Sequence, residues 1–591
     1  MNYELLFKNY QQKLKSAFEK DAAPQTEPST GKLLVKADFT GIQEFIFSIK
    51  SDGAARQLKG RSFAIQAMAI ILQHELSSIS GFELLYNAGG NLYFFVSDAE
   101  EAKLGEFQSR IWDALSQEGI SITLAWVSAV PGSSLGTLMM DDLEKQVLAR
   151  KLSIGNRATN FFEPVGTESR IGDLKEFTGN FAKSAGYILA QKEHEAKLQV
   201  GNNSLSFLRT KLELKQQIGD GVIPFNNGED RFMVNALPKE ATGITSFKKL
   251  AELAKHRTNT EKLGVLKFDV DNLGKIFESL ADTQRSKELS AAFSFFFEGY
   301  INHLLEKDVQ YYIVEKANFN SRIRKSQRDI QYYQDKISDD PRNERKFEGK
   351  KKKLERFIED YSKKSYKENL YVIFSGGDDG FIVGAWDAVF SFAVLLRNEF
   401  ENFCSVLKEP LTLSAAIMVI DEKFPVSRFA DLAEELLAKA KQAFSDNEGS
   451  RGLPQKNAIC LFDRVVSWEQ FEEIRKQKEK LVELVRSDGK YKQPKALLNN
   501  IRQSLQEFEN LKRLDGTYNF PKVWRLRYYF REQNIKRQPN NEEMPDTQMI
   551  NQIVDMYEEN LLESYEKNND ELAKILPLAA RWAELEVRSS N

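Results

Sequence analysis

Residues Tyr371–Trp386 read YVIFSGGDDGFIVGAW. The centre, Ser375-Gly376-Gly377-Asp378-Asp379-Gly380, sets two adjacent carboxylates among glycines, between two runs of β-branched and aromatic residues. Strand formers around a Gly/Asp centre that tolerates positive φ signal a β-hairpin. Two carboxylates at one tip repel unless a cation or water screens them, and the glycines leave room for a nucleoside triphosphate to approach the backbone. Alone, the stretch also fits a solvated Asp-Gly turn. A second acidic group, Asp269-Val270-Asp271-Asn272-Leu273-Gly274, closes the strand-like run Leu263–Val270. With that strand beside the hairpin, Asp269, Asp378 and Asp379 converge, and divalent cations relieve their repulsion. Two Mg²⁺ or Mn²⁺ ions about 4 Å apart would clamp the attacking and leaving oxygens of an in-line phosphoryl transfer. Backbone N–H groups of the tip would reach the phosphates. The predicted chemistry is nucleotidyl transfer by two metals. Lys439 and Lys441, in the helix after the last strand, are candidate triphosphate contacts and equally ordinary surface lysines.

The elements that must position these groups occur twice. Leu33–Phe39 reads as a strand, Gly41–Phe47 as a loop or short helix, and Arg61–Ser78 as a helix. Phe82–Tyr86 and Leu92–Val96 flank a turn at Asn87–Asn91, Ala102–Gln117 is helical, and Ile120–Val130 is a strand. This β-α-β-β-α-β order is ferredoxin-like. It returns from Leu263: a strand, a helix over Lys287–Lys307, the Tyr371 hairpin, a helix over Ala388–Val406 and the strand Leu411–Ile420. The helix Ser427–Ala443 and the strand Asn457–Phe462 extend it. VKADFTGIQEFIF stands against LKFDVDNLGKIF, and LYNAGGNLYFFV against IFSGGDDGFIVG, an internal repeat. Matching the Gly-Gly pairs sets Asn91 against Asp378, and matching the first strands sets Thr40 against Asp271. One copy keeps its acids and the other has largely lost them.

The expected fold is therefore α+β: two ferredoxin-like palm domains separated by a mostly helical domain, with a C-terminal helical bundle. The divisions are an N-terminal helix and linker over 1–30, a first palm over 31–135 and a mixed, mainly helical region over 136–245. The second palm spans 246–465, with a charged helical insertion at 316–369, and the bundle spans 466–591. In the mixed region helices are expected near Asp141–Leu152, Ile171–Ser184 and Tyr187–Lys197, with short strands around Leu212–Leu237. Val523–Tyr529 mixes basic and aromatic residues, which fits nucleic-acid stacking and a bundle helix equally.

At 591 residues the chain holds several domains, and a net charge of -3 argues against a uniformly basic nucleic-acid binder. Two cysteines, Cys404 and Cys460, form no zinc knuckle. None of the 4 histidines (His74, His194, His256 and His303) precedes an Asp, so a His-Asp nuclease site is not expected. No signal core and no run of membrane-spanning length is visible, and the expected location is the cytoplasm.

These motifs together resemble the large, polymerase-like subunit of type III CRISPR effector complexes. The matching residues are Asp38-Phe39-Thr40-Gly41-Ile42-Gln43 with Phe45-Ile46-Phe47 in the first palm, and Asp269–Gly274 with Ser375–Asp379 in the second. Leu413–Ile417, Lys423–Arg428 and Leu432–Leu437 fit the second palm as well. The resemblance implies two ATP molecules between facing palms. Metal would be held at Asp269, Val270, Asp378 and Asp379, with the three aspartates catalytic. One nucleotide would meet Asp271, Asn272, Gly274, Ser375, Gly376, Gly377 and Lys441, and the other Gly41, Ile42, Gln43, Gly89 and Gly90. It implies cyclic oligoadenylate synthesis when the assembled complex captures target RNA. Partners would be guide and target RNA through other subunits, a small subunit and backbone subunits, with no membrane. Many members carry a His-Asp nuclease domain and a cysteine zinc site. Neither fits here, so no DNA cutting by this chain and no structural zinc are expected. Conjugation of AMP to S-adenosylmethionine uses the same acids and stays open. A non-catalytic RNA scaffold has no need to gather acids, and a free-standing dinucleotide cyclase carries one palm and a sensor.

Overall fold

The computed structural model describes residues 2–19, 31–47, 76–88, 90–115, 121–129, 142–154, 196–200, 203–208, 211–216, 222–224, 237–240, 243–280, 283–310, 316–339, 341–444, 456–486, 495–530 and 545–587, with positions 49, 58, 61, 62, 65, 69, 72, 73 and 234 between them. The first palm comprises β1 (Lys32–Thr40), α2 (Ile42–Phe47), β2 (Glu83–Ala88), β3 (Asn91–Ser97), α3 (Glu101–Leu115) and β4 (Ser121–Ser128), preceded by helix α1 (Tyr3–Phe18). Its sheet runs β2-β3-β1-β4 and is antiparallel throughout. Helix α4 (Glu144–Ile154) packs against β4, and Arg150 donates to the Leu124 carbonyl at 3.0 Å. The sequence division at 135 cuts this helix away. Packing returns it to the first palm, because its Glu144 receives a hydrogen bond from the buried Lys36.

In the region between the palms the described residues form an antiparallel meander, β5 (Ala196–Val200), β6 (Asn203–Leu208), β7 (Lys211–Gln216) and β8 (Val222–Pro224). β7 and β8 answer the short strands expected around Leu212–Leu237, whereas β5 and β6 lie where none is expected, although polar and apolar residues alternate over Ala196–Val200. The helices expected at Ile171–Ser184 and Tyr187–Lys197 lie outside the described residues, apart from the last two positions, which begin β5.

The second palm starts with α5 (Phe247–Thr258) and β9 (Leu263–Val270), then α6 (Leu273–Ser279) and α7 (Thr283–Ser294). Helix α7 continues through a π-helical turn at Phe295–Tyr300. An inserted hairpin of α8 (Lys316–Asp339) and α9 (Glu344–Ser362) leads to β10 (Leu370–Gly376), β11 (Asp379–Ala385), α10 (Trp386–Cys404), β12 (Leu413–Ile420), α11 (Val426–Gln442), β13 (Ala458–Leu461) and β14 (Arg464–Ser467). The six-stranded sheet runs β10-β11-β9-β12-β13-β14, with only β12 and β13 parallel. Leu263–Val270 is buried at nearly every position, as expected for a central strand covered on both faces. The repeat is exact enough to share a defect. Both hairpins carry a register shift at the same place, between Leu84 and Tyr86 in one and between Val372 and Phe374 in the other.

Helices α12 (Trp468–Arg486), α13 (Ala496–Glu509), α14 (Trp524–Phe530), α15 (Pro545–Glu566) and α16 (Ile575–Glu586) form the C-terminal bundle. Trp582 anchors it to the second palm, its ring 4.7 Å from Phe390 of α10 and 5.5 Å from Phe471. Helix α1 reaches past its own palm. Tyr10 stacks on Phe295 at 4.5 Å and Gln11 donates to the Asn402 carbonyl at 2.8 Å.

The inserted hairpin is fastened to α5 at the end of α9, where the Tyr361 hydroxyl donates to the His256 carbonyl at 2.8 Å. Buried Asp360, near the end of α9, accepts from Lys249 of α5 at 2.7 Å, and His256 Nε2 lies 3.2 Å away. Burial pushes this carboxyl up, but the hydrogen bonds and charge of His256 and Lys249 outweigh it and hold the group below its usual range. A carboxyl depressed in the fold adds stability above its unfolded pKa and loses it as pH falls through the folded value. Asp360→Asn is therefore expected to cost about 1–3 kcal/mol of local stability. Hydrogen exchange checks this: α8 and α9 lose protection while β9–β12 keep theirs, and acidifying the parent protein below about pH 4 reproduces the pattern.

Candidate active site

Strand pairing brings the three sequence-predicted acids to one end of the second palm. Asp269 lies directly opposite Asp379 on β11 and Ser414 on β12. The Val270 N–H donates to the Asp378 carbonyl at 2.9 Å, stitching the hairpin tip to the end of β9. Gly377 supplies the turn with φ of 68°. A Cβ on Gly380 would run into the Phe268 ring, and one on Gly376 would meet Glu298 Oε1 at 2.7 Å. Ser375 is buried and donates to the Phe297 carbonyl at 2.7 Å. Gly376 and Ser375, expected at a nucleotide, are thus committed to packing on the π-helical turn.

Asp378 and Asp379 keep a partly exposed surface yet are crowded by protein atoms on most sides. Burial, then the Asp269 charge, pushes Asp378 up to about 7. Burial and Asp378 push Asp379 well up. Asp269 is raised by burial, against the opposing pull of Lys441, whose Nζ lies 2.5 Å from Asp269 Oδ1. Among the described residues no three acids already face one another as a ligand cluster, and Lys441 holds one oxygen that a metal would take. The donor set still fits: three carboxylates whose charged forms the fold disfavours are the oxygen ligands that Mg²⁺ or Mn²⁺ takes.

Other predicted residues are placed elsewhere. Asp271 is buried and fully engaged, accepting from Thr412 Oγ1 and Ser414 Oγ at 2.7 Å each and from the Asn457 N–H at 2.9 Å. It ties β9 to its neighbouring strands, which leaves it no free oxygen for nucleotide. Asn272 takes a left-handed conformation, φ 58°, at the start of α6, and Gly274 lies in the first turn of that helix. Lys439 pairs with Asp463 on the surface at 2.6 Å, so Lys441 alone of the two reaches the acids.

Three contributors escape a sequence reading. Lys456 lies within electrostatic reach of Asp271, Lys441, Asp269 and Lys275, which gathers cations beside the acids. Buried Lys267 bonds to Glu434 of α11, which also accepts from Gln43 of the first palm at 3.3 Å. Tyr86 of the first palm packs on Phe277 at 5.6 Å, and burial together with Asp378 and Glu298 pushes its phenol well up. Helical spacing signals only the pair Glu434 and Lys441, seven residues apart on one face.

The first palm repeats this constellation without the hairpin acids. Asp38 takes the place of Asp269, opposite Asn91, and the Phe39 N–H donates to the Gly90 carbonyl at 3.0 Å. Register therefore matches Gly90 with Asp378 and Asn91 with Asp379, one residue from the alignment of the Gly-Gly pairs, while Thr40 stays against Asp271. Lys36 pairs with Glu144 at 2.5 Å, and Lys151 with Asp38 at 2.5 Å, just as Lys267 pairs with Glu434 and Lys441 with Asp269. Asn91 Oδ1 is buried without a hydrogen-bond partner among the described residues. Gly41 (φ 84°) turns the chain into α2, whose Ile42 lies where a Cβ on Gly90 would intrude. Phe47 packs on Phe381 of the second palm at 4.9 Å. Gly89 lies outside the described residues.

Residues 262–449 match the family model for the second palm domain of Cas10/Cmr2, and residues 32–148 match domain B of the Csm1 subunit. Both palms thus match domain models of Cas10/Csm1 proteins. A Methanocaldococcus jannaschii relative named a CRISPR system single-strand-specific deoxyribonuclease Cas10/Csm1 of subtype III-A is 26% identical over 530 residues, covering 74% of this chain and 59% of its own. A Thermococcus onnurineus relative of the same name is 24% identical over 500 residues, covering 75% and 58%. The chain thus spans under two thirds of the length of these Cas10/Csm1 relatives. The fold agrees with an apo Csm1–Csm4 cassette (TM-score 0.61, 18% identity, 98% of this chain and 73% of that one) and with Csm1 of T. onnurineus (TM-score 0.61, 20% identity, 95% and 70%). No helix among the described residues is long and apolar enough to cross a membrane.

Proposed function

We propose that this chain is a metal-dependent nucleotidyltransferase that joins ATP into a cyclic oligoadenylate when a type III CRISPR complex holds target RNA. One observation carries the reading: Asp269 and Asp379 face each other across paired strands, with Asp378 at the adjoining tip. Related Csm1–Csm4 cassettes have been crystallised with one ATP, with pppApApA and with cA4, which supports adenylates as substrate and product here. Asp269, Asp378 and Asp379 would hold two divalent cations, with the Val270 backbone at the same strand end. Bound there, the cations supply charge neutralisation and activate the attacking hydroxyl. Lys441 and Lys456 bring positive charge to a bound triphosphate. Tyr86 presents the first palm to the acids and keeps water from that side. The working form sits in the cytoplasm with a Csm4-like subunit, a small subunit, backbone subunits and guide RNA.

The test is product identification. The complex assembled on guide RNA receives ATP and Mn²⁺, with or without target RNA and S-adenosylmethionine, and products are read by mass spectrometry. Cyclic adenylates made only with target RNA are expected. An adduct of AMP and S-adenosylmethionine would replace the acceptor in this reading, and no product with RNA bound would leave a scaffold.

A further inference from the structure

The inserted hairpin carries a charge that the palm chemistry does not use. Residues 316–369 hold 17 Lys and Arg against 10 Asp and Glu, a net +7 in a chain of net -3. On α9 that excess is sorted by face. At about 100° per residue, Arg345, Lys346, Lys350, Lys352, Lys353 and Arg356 fall within an arc of about 160°, and all six are exposed. Glu344, Glu348, Glu355 and Glu359 form a separate stripe alongside. The apolar stripe overlaps the edge of that arc at Phe357 and is already used: Phe347 stacks on Tyr333 of α8 at 6.2 Å, and Phe357 packs on Tyr361 at 4.4 Å and His256 at 5.3 Å.

We propose that this cationic face of α9 is a docking surface for single-stranded nucleic acid, gripped through its phosphates. Only Lys352 of the six is paired with a carboxylate among the described residues, Glu348 at 3.3 Å, an exposed contact that phosphate replaces at little cost. The stripe from Arg345 to Arg356 is about 16 Å long at 1.5 Å per residue. Gly349 lies within the arc, and a Cβ there would meet nothing within 4 Å, so the strand can approach the helix backbone. A membrane fits less well. Amphipathic helices that bind lipid set exposed apolar residues beside their cations, whereas the apolar stripe of α9 is spent on its neighbours. The hairpin joins the body through Asp360 and leads directly into β10, the strand that ends at Gly376 beside the acids.

The experiment measures fluorescence anisotropy of labelled oligo(U) RNA and oligo(dT) DNA with the full chain across about 50–200 mM KCl. Variant Lys346→Gln/Lys350→Gln/Lys353→Gln is compared with Lys8→Gln/Lys476→Gln/Lys567→Gln, which removes as many exposed lysines elsewhere. With about 0.7 counterions released per phosphate contact, the hairpin variant is expected to flatten the log K against log salt slope by about 2. Its affinity at low salt should fall at least about tenfold, while the comparison variant tracks the parent. Unchanged circular dichroism and melting show that both fold. The RNA-to-DNA ratio reports whether the 2′-hydroxyl adds to the phosphate grip. Parent-like affinity and slope in the hairpin variant would overturn the proposal. So would loss of binding to phosphatidylserine vesicles with nucleic-acid binding intact.

Discussion

Asp378→Asn/Asp379→Asn is expected to abolish product formation, by about a thousandfold or more, while raising the melting temperature of the metal-free protein. The loss follows from removing two of three carboxylates that would hold the cations; a thousandfold is about 4 kcal/mol of barrier. The gain follows from what the acids cost the fold. Burial and the Asp269 charge raise Asp378 to about 7, and Asp379 is raised by burial and Asp378. A carboxyl raised in the fold binds its proton more tightly there than when unfolded, so it destabilises at pH 8 and that penalty fades as pH falls from about 7 to about 4. Metal-free parent protein should therefore melt higher at pH 5.5 than at pH 8 relative to the Asn pair, whose difference is smaller. Mn²⁺ at pH 8 should raise the melting temperature of the parent and leave the Asn pair unmoved. Differential scanning calorimetry with chelator and with Mn²⁺ reads all three. A parent indifferent to Mn²⁺ and to this pH window would remove the acids from the metal site, whatever happened to activity.

The sheet and its acids were legible because their determinants are local. Leu263–Val270 is apolar apart from Lys267 and Asp269, the hairpin has a Gly-Asp tip, and the two copies repeat in order. What stayed hidden depends on partners far along the chain. Lys267 and Glu434 are 167 residues apart, Lys36 and Glu144 are 108, and nothing near a buried lysine announces its carboxylate. Asp271 misleads for the same reason. Its motif looks like Asp269, yet hydroxyls on β12 and the amide of Asn457 consume it. The offset between Asn91 and Asp378 arises because matching glycines ignores the backbone bonds that fix register. The π-helical turn at Phe295–Tyr300, with Glu298 under Gly376, has the same apolar spacing as an α-helix and leaves no separate trace. The hairpin insertion shows the converse: its sorted charge is plain in sequence once a helix is granted, and only the fold reveals that its apolar stripe is already covered.

Arg257→Ala is expected to cost about 3–5 kcal/mol of second-palm stability without lowering activity per folded molecule. Arg257 is among the largest fully buried side chains. Its Nε and Nη2 grip both oxygens of Asp387 at 2.5 and 2.7 Å, and Nη1 donates to Asn369 Oδ1 at 2.8 Å. Asn369 in turn donates to the Lys363 and Ser365 carbonyls at 3.0 and 2.8 Å. One guanidinium thus joins the end of α5, the approach to β10 and the first turn of α10. Removing it strands a poorly solvated carboxylate and an amide oxygen, which costs far more than the pair itself contributes. For a domain of this size the melting temperature should drop by roughly 6–20 °C. Arg257→Met/Asp387→Leu, which removes both charges, should recover most of the loss, a coupling above about 2 kcal/mol. The separation from activity is geometric. Asn369 precedes β10, Arg257 precedes β9 and Asp387 follows β11, all at the sheet end away from Asp269, Gly376 and Asp379. Turnover measured well below the melting range should match the parent. A fall in turnover there, with the fold intact, would mean that the two ends of the sheet are coupled and that this network sets the acid geometry as well as the stability.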